Sequence, residues 1–300
     1  MTTFNDVINE VTLSLSGYTM RQDRTTHIPP DKPAINSSDT TVYVDSVNNI
    51  SKGIIEIDDE LIWVDSFDKT AKSLSIPPYG RGYLGTTPTS HLPGTKVTIA
   101  PTFPRHSIKK AINDTLRGVA GSLFGIDSVV FDYNPAVTTY ALPYDTEDIL
   151  SVSYEDIGPT KEWYPIRRYR TDRMADLASF NSNVSITVYD LIPTSSRIKV
   201  TYVVDPEPFN YLNDDYEGTT NLTESTKDII VLGACYRLLS FIDPGRLSFS
   251  SPEADAQSSR IQYGSGTNTA KYIYALYQQR LQEESSRLRE KYPVRVHYTR

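Results

Sequence analysis

The stretch "RGYLGTTPTSHLPGTKV", residues 81–97, decides how the chain is read. It carries Gly82, Gly85 and Gly94, a Thr pair at 86–87, and His91, one of four histidines in 300 residues. With Gly80 upstream, three of the glycines fall in a GxGxxG spacing. A dinucleotide cradle needs that spacing after a strand and leading into a helix. Here Pro88 and Pro93 follow closely, and no helical pattern follows Gly85. A catalytic His91 would need a nucleophile and an orienting acid, and the adjacency of Ser90 does not make a triad. A structural reading uses more of the residues. Gly80, Gly82 and Gly85 permit positive φ in a tight excursion. Leu92-Pro93-Gly94-Thr95 has Pro second and Gly third, the pattern of a type II turn. Thr95, Val97 and Ile99 then alternate as a closing strand. His91 is expected to hydrogen-bond within the loop.

Outward from this loop, helix and strand signals come in blocks. Phe4, Val7, Ile8, Val11 and Leu15 stand at helical spacing. "HIPPDKPAINSS" (27–38) reads as a Pro-rich linker. Short β-branched runs fill 41–100, with Asp58-Asp59 as a hairpin turn. About five or six such strands make a small barrel or sandwich. Pro104 opens a helix whose apolar face runs from Ile108 to Leu123, with Gly125 at its end. A second β block covers 128–204. In it Val184, Ile186 and Val188, then Ile198, Val200 and Tyr202, alternate on either side of the turn "DLIPTSS". Ser225 with Asp228 marks the start of a third helix, apolar almost all round. A last helix over roughly 269–291 carries Tyr272, Ile273, Leu276, Tyr277, Leu281 and Leu288, with Glu283 and Arg287 as an i,i+4 pair.

The predicted fold class is α+β: a small helical core bundle carrying two inserted β barrel- or sandwich-like domains. Residues 1–37, 102–126 and 205–300 form the core with its C-terminal tail. Residues 38–101 form the first insertion and 127–204 the second. The first helix is too short to be stable alone and needs partners from later in the chain.

Composition narrows the function. A net charge of −7 argues against a sequence-independent grip on DNA, which needs a basic face. Tyrosine is in excess, 21 against 9 Phe, which leans toward surfaces that become interfaces. The single cysteine, Cys235, builds no disulfide framework and no Cys-based zinc site, and lies in an apolar run as a packing thiol. The start "MTTFNDVINE" lacks a cationic segment and is expected not to be a signal peptide. No run is long enough to span a bilayer, so no membrane partner is expected.

Other clusters carry weaker chemistry. Asp205, Glu207, Asp214, Asp215 and Glu217 could offer oxygen ligands to calcium, but without EF-hand spacing. Arg167, Arg168, Arg170 and Arg173 lie beside Trp163, Tyr164 and Tyr169, a mix suited to subunit contacts or to nucleic acid in a lumen. The segment after Pro293 alternates: Val294, Val296 and Tyr298 on one face, Arg295 and His297 on the other. It suits strand addition to a partner's sheet. No catalytic residue, metal or cofactor is expected.

The pattern Arg-Gly-x-x-Gly-Thr followed by His-x-x-Gly-x-x-Val, here Arg81, Gly82, Gly85, Thr86, His91, Gly94 and Val97, resembles a β element of tailed-bacteriophage neck and tail proteins. "EWYPIRRYRTD" and "NVSITVYDLIPTSSRIKVTYVVDPEPF", leading into an apolar helix, are similar to the β-to-helix passage of head-to-tail connector proteins. "TSS" stands where many of those have a Gly. The resemblance touches about a third of the chain. It implies a structural loop rather than an active site, and a neck adaptor in the virion, assembled in the host cytoplasm. It further implies a homo-oligomeric ring, commonly of about twelve subunits. Its neighbours would be the portal protein and other neck or tail proteins, with genomic DNA making transient, non-specific contact in the lumen. A tail, baseplate or fibre-attachment component is the alternative. A glycan-binding or glycan-degrading virion protein is a further one, although no β-helix repeat is visible.

Overall fold

A computed structural model describes residues 2–19, 23–48, 50–240 and 265–292. Helices and antiparallel sheets are mixed, an α+β fold. The helices are α1 Phe4–Thr19, α2 Arg105–Val119, the short α3 Tyr216–Thr220, α4 Lys227–Leu239 and α5 Ser265–Lys291. None among the described residues is long and apolar enough to cross a membrane. The chain divides into two compact units: Met1–Phe4, Leu116–Ile229 and Tyr277–Arg300, and Asn5–Thr115 with Ile230–Leu276.

Among its described residues, the unit of Asn5–Thr115 and Ile230–Leu276 holds seven strands: β1 Arg24–His27, β2 Thr41–Tyr43, β3 Gly53–Ile57, β4 Glu60–Val64, β5 Ser66–Asp68, β6 Ser73–Ser75 and β7 Lys96–Ile99. They form a four-stranded sheet, β1-β7-β3-β4, and a three-stranded sheet, β2-β6-β5. Both feed one apolar core, with Ile55, Ile57, Ile62 and Val64 from the first sheet and Val42 and Leu74 from the second. The β3–β4 hairpin turns at Asp58-Asp59, as predicted, with Asp58 at φ 53°. The Pro-rich stretch after His27 is not a free linker. Ile28 and Ile35 are buried in that core, and Ile35 pairs its backbone with His91.

In α1, Val7, Ile8 and Val11 are fully buried, and Thr12, Ser16 and Thr19 satisfy their hydroxyls on carbonyls one turn back. The partner from later in the chain is α4, whose Cys235 Sγ lies 4.0 Å from the Val11 carbonyl oxygen. Burial pushes the Cys235 thiol up to about 12, so it packs and does not react. The N-terminus of α2 is capped from a distance. The half-buried Glu56 accepts the Arg105 N–H, and Arg105 Nε donates to Asp59 Oδ1 at 2.8 Å. α2 stops at Val119, short of the predicted Gly125, because Gly121 turns left-handed at φ 77°. Leu123 is still buried, but from the turn beyond the helix.

The other unit holds β8 Gly125–Asp132, β9 Thr139–Ala141, β10 Asp148–Glu155, β11 Trp163–Pro165, β12 Tyr169–Asp172, β13 Ser185–Val188 and β14 Arg197–Val204. Again a four-stranded sheet, β11-β10-β14-β8, and a three-stranded sheet, β12-β13-β9, share a core. The predicted alternation holds: Ile186, Ile198 and Val200 are fully buried. "DLIPTSS" contains a turn, as read, with Ser196 N–H on the Pro193 carbonyl, but it does not make a hairpin of the two strands. β13 and β14 belong to different sheets, so the loop crosses from one to the other, with Ser195 at φ 76°. Two alternating strands in sequence can pair with each other or cover one core from opposite sides, and periodicity does not distinguish these.

Residues 2–4 are stitched to the segment around α3. Phe4 N–H donates to the Asp214 carbonyl at 2.9 Å, Tyr216 N–H to the Thr2 carbonyl at 2.7 Å, and Phe4 stacks on Phe209. The acidic stretch read as a loop therefore contains a helical turn. Asp215 caps it by accepting the Gly218 N–H at 3.0 Å. On α5 the predicted Glu283–Arg287 pair is replaced. Glu283 turns to Arg280, which also reaches Asp228 at 2.7 Å, while Arg287 takes Glu284. An arginine already fixed by one carboxylate is the better-ordered partner for a second.

Candidate functional site

The loop of residues 80–95 closes around one carboxylate, that of Glu60. β4 begins at Glu60, and the strand then runs Leu-Ile-Trp-Val with its alternate residues in the core. The hairpin turn at Asp58-Asp59 aims the Glu60 side chain under the loop, where it is wholly buried. Arg81 grips it in fork geometry, Nε on Oε1 at 2.7 Å and Nη2 on Oε2 at 2.9 Å. The backbone N–H groups of Gly82 and Thr89 each donate at 3.0 Å. His91 Nε2 completes the set at 2.8 Å from Oε2, and its Nδ1 lies 2.9 Å from Asp58 Oδ2.

The rest of the loop is fixed by the same residues. Arg81 is almost fully buried and spends its remaining donors on the carbonyls of Asn36, Asp39 and Thr89. Thr86 Oγ1 accepts the Leu61 N–H at 3.1 Å and reaches the Tyr83 carbonyl at 3.0 Å. Gly82 sits at φ 61°, and a Cβ there would lie 2.7 Å from the Thr86 carbonyl oxygen. Gly82 is thus required twice, by conformation and by space. Gly80 has an ordinary backbone, and its constraint is space alone: a Cβ would meet the Trp63 carbonyl at 2.7 Å. The type II turn at 92–95 closes as predicted, with Gly94 at φ 83° and Thr95 N–H on the Leu92 carbonyl.

Electrostatics follow from these contacts. Burial pushes Glu60 up, but the hydrogen bonds from Arg81, His91, Thr89 and Gly82 outweigh it and bring it down to about 2. Burial works against a charged His91, yet its bonds to Glu60 and Asp58 outweigh that and raise its pKa. The Arg81 guanidinium, joined by His91 when it is protonated, supplies the counter-charge to Glu60. A carboxylate offers roughly four lone-pair sites, and here five donor contacts saturate them: two from the guanidinium, two from backbone amides and one from the imidazole. What such a site can do chemically is hold a loop shut.

The sequence prediction placed Arg81, Gly82, Thr86 and His91 in one loop; Arg81, Gly82 and His91 converge on Glu60, while Thr86 ties the loop to the next residue, Leu61. Gly85, at φ 83°, ends the 3-10 turn Tyr83–Gly85 beside it. His91 bonds outside the loop, to residues of the β3–β4 hairpin, and not within it. Glu60 itself was missed. The available signal was a lone carboxylate opening an otherwise apolar strand next to a turn. Glu56 was missed in the same way, as an acid inside the apolar strand β3; burial pushes it up to about 7.

The arginine cluster has a different character. Arg167 and Arg168 lie between β11 and β12, and both backbone N–H groups converge on Asp190 Oδ2 at 2.8 and 3.1 Å. Arg168 Nε adds a bond to Oδ1 at 2.8 Å while 71% of its side chain is exposed. Arg173 sits 3.7 Å from Asp148, and Arg170 is exposed on β12. Asp214 accepts the N–H groups of Asn210 and Tyr211, and among the described residues no group of three or more His, Cys, Asp or Glu could hold a metal ion. Val294, Arg295, Val296, His297 and Tyr298 lie outside the described residues. No family model matches the chain, and no curated protein matches it.

Proposed function

We propose that this protein is a structural subunit of a tailed-phage neck, an adaptor that closes into a ring between portal and tail. The observation that carries this reading is the Glu60 centre. The residues that resemble the phage β element shut a loop, and the side-chain polar atoms of Arg81, Thr86 and His91 are all bonded within the protein. The resemblance in 162–172 and 183–209 to the β-to-helix passage of connector proteins supports the same assignment. In this reading the helices form a small core carrying two barrel- or sandwich-like β insertions. Heterologous contacts between identical subunits close a ring of about twelve. The net charge of −7 suits a lumen past which DNA must slide without being held. The exposed Arg167, Arg168 and Arg170 serve subunit contacts at one side of each protomer.

The test is particle mass by light scattering, with negative-stain images of the same sample. Closed rings of about twelve copies are expected. A protein that remains monomeric at all concentrations would overturn the adaptor assignment.

A further inference from the structure

β8 is the outermost strand of its sheet. It pairs with β14 over its full length, Gly125 opposite Val204 through Asp132 opposite Arg197, and its other edge meets no strand among the described residues. At 8 residues it is a long edge to leave open. Its two faces differ. Val129 and Phe131, with Tyr133 just beyond, pack against the core yet remain half-exposed at the sheet margin. Ser128, Val130 and Asp132 are exposed, Val130 by 44%. The Ser128 N–H is held by its neighbour's carboxylate, Asp127 Oδ1, at 2.7 Å. A local cap of this kind is displaced when a strand supplies a carbonyl.

Residues 293–300, "PVRVHYTR", have the complementary pattern. We propose that this segment of a second copy adds to β8 as an antiparallel strand, with His297 opposite Val130. In that register Val294, Val296 and Tyr298 fall opposite Tyr133, Phe131 and Val129, and extend the core face over its half-exposed margin. Arg295 falls opposite Asp132, and Arg300 opposite Asp127. A one-residue slip would turn the apolar side chains to solvent, so the faces fix the register to steps of two. The acid spacing on β8 matches the arginine spacing on the segment and selects one of those steps. A parallel arrangement that keeps Val294, Val296 and Tyr298 on Val129, Phe131 and Tyr133 would place Arg295 beside Val130 and lose both charge pairs. Main-chain bonds supply the affinity and the alternate side chains the specificity, as in other strand additions. The inference rests on the assembly reading in one respect, that the donor is another copy.

Two full-length chains, one carrying Val130→Cys and the other His297→Cys, are mixed and mildly oxidised. Directly opposed residues bring their Cβ atoms within about 4.5–5.5 Å, which a disulfide spans with small adjustment. A disulfide-linked heterodimer is expected, and none from Ile126→Cys with His297→Cys, which is four residues out of register. Arg295→Asp should lower the yield about five-fold, and Asp132→Arg on the partner should restore it. Both pairs cross-linking equally, or a link forming only within a chain that carries both substitutions, would overturn the proposal. Light scattering on the unmodified protein separates the two readings. Rings without the cross-link overturn strand exchange and leave the adaptor standing, whereas a monomer without the cross-link overturns both.

Discussion

The two β regions share a plan, a four-stranded and a three-stranded sheet around one core, but Arg81 in the first and Arg168 in the second are held in opposite ways. Arg81 is buried to 7% exposure against a carboxylate at 0%, and every donor has a named acceptor. Arg168 keeps 71% of its side chain in water and holds one oxygen of a carboxylate that two backbone amides already bind. The first arrangement is committed. Its charges were desolvated when the loop closed, so removing one partner leaves the others stranded in a low-dielectric interior. The second is provisional, because water screens it and can replace it. The charge on Arg81 therefore fixes the fold, while the charge on Arg168 stays in water.

The largest effect should come from breaking the committed centre. Glu60→Ala leaves Arg81 and His91 buried without their counter-charge and should cost about 3–5 kcal/mol, read as a fall in melting temperature or denaturant midpoint. A loss below about 1 kcal/mol, the surface-pair range, would show that the centre is far wetter than its geometry.

A middle-sized effect should appear in the pH dependence. The folded-state pKa of His91 is raised, so its contribution is complete below its ordinary value near 6.5 and is lost as pH rises through the folded value. Glu56 acts in the same direction. Its folded pKa of about 7 lies above the ordinary 4.5, so stability falls as pH rises between them. His91→Gln should remove the part of the fall that lies above about pH 7 and keep the Glu56 fall between pH 4.5 and about 7. A stability profile that rises from pH 6 to 8 in the parent protein would contradict both assignments.

The smallest effect on folding should be Arg168→Glu. Its salt bridge is solvent-exposed and Asp190 keeps its two backbone donors, so the loss should stay within about 1 kcal/mol. If the cluster serves subunit contacts, the same substitution should weaken the assembled particle, and added salt should narrow the difference from the parent. Unchanged assembly at low salt would reduce the cluster to solvated surface.

Much of this architecture is written in local pattern. The α1 stripe from Val7 to Leu15, the Asp58-Asp59 turn, the Pro-Gly turn at 93–94 and the alternating strands β13 and β14 each follow from side-chain period and turn chemistry within a few residues. Local pattern stops short where it admits two tertiary solutions. Val184–Val188 and Ile198–Tyr202 alternate equally well as a hairpin or as two sheets facing one core. The apolar face of α2 continues through Leu123, although the left-handed Gly121 has already ended the helix.

The sequence by itself determined that residues 80–97 form a turn-rich, glycine-dependent loop closed by a strand, because φ preference and alternation are properties of neighbouring residues. Only the tertiary structure decided what that loop closes on. Glu60 meets Arg81 and His91 across 21 and 31 residues of chain, and Asp58 meets His91 across 33. The register of the β3–β4 hairpin places those carboxylates, and the pairing of β7 with β1 and β3 carries His91 to them. A carboxylate is costly to bury and is tolerated only where several donors converge on it. That convergence is a property of packed sheets and has no one-dimensional trace.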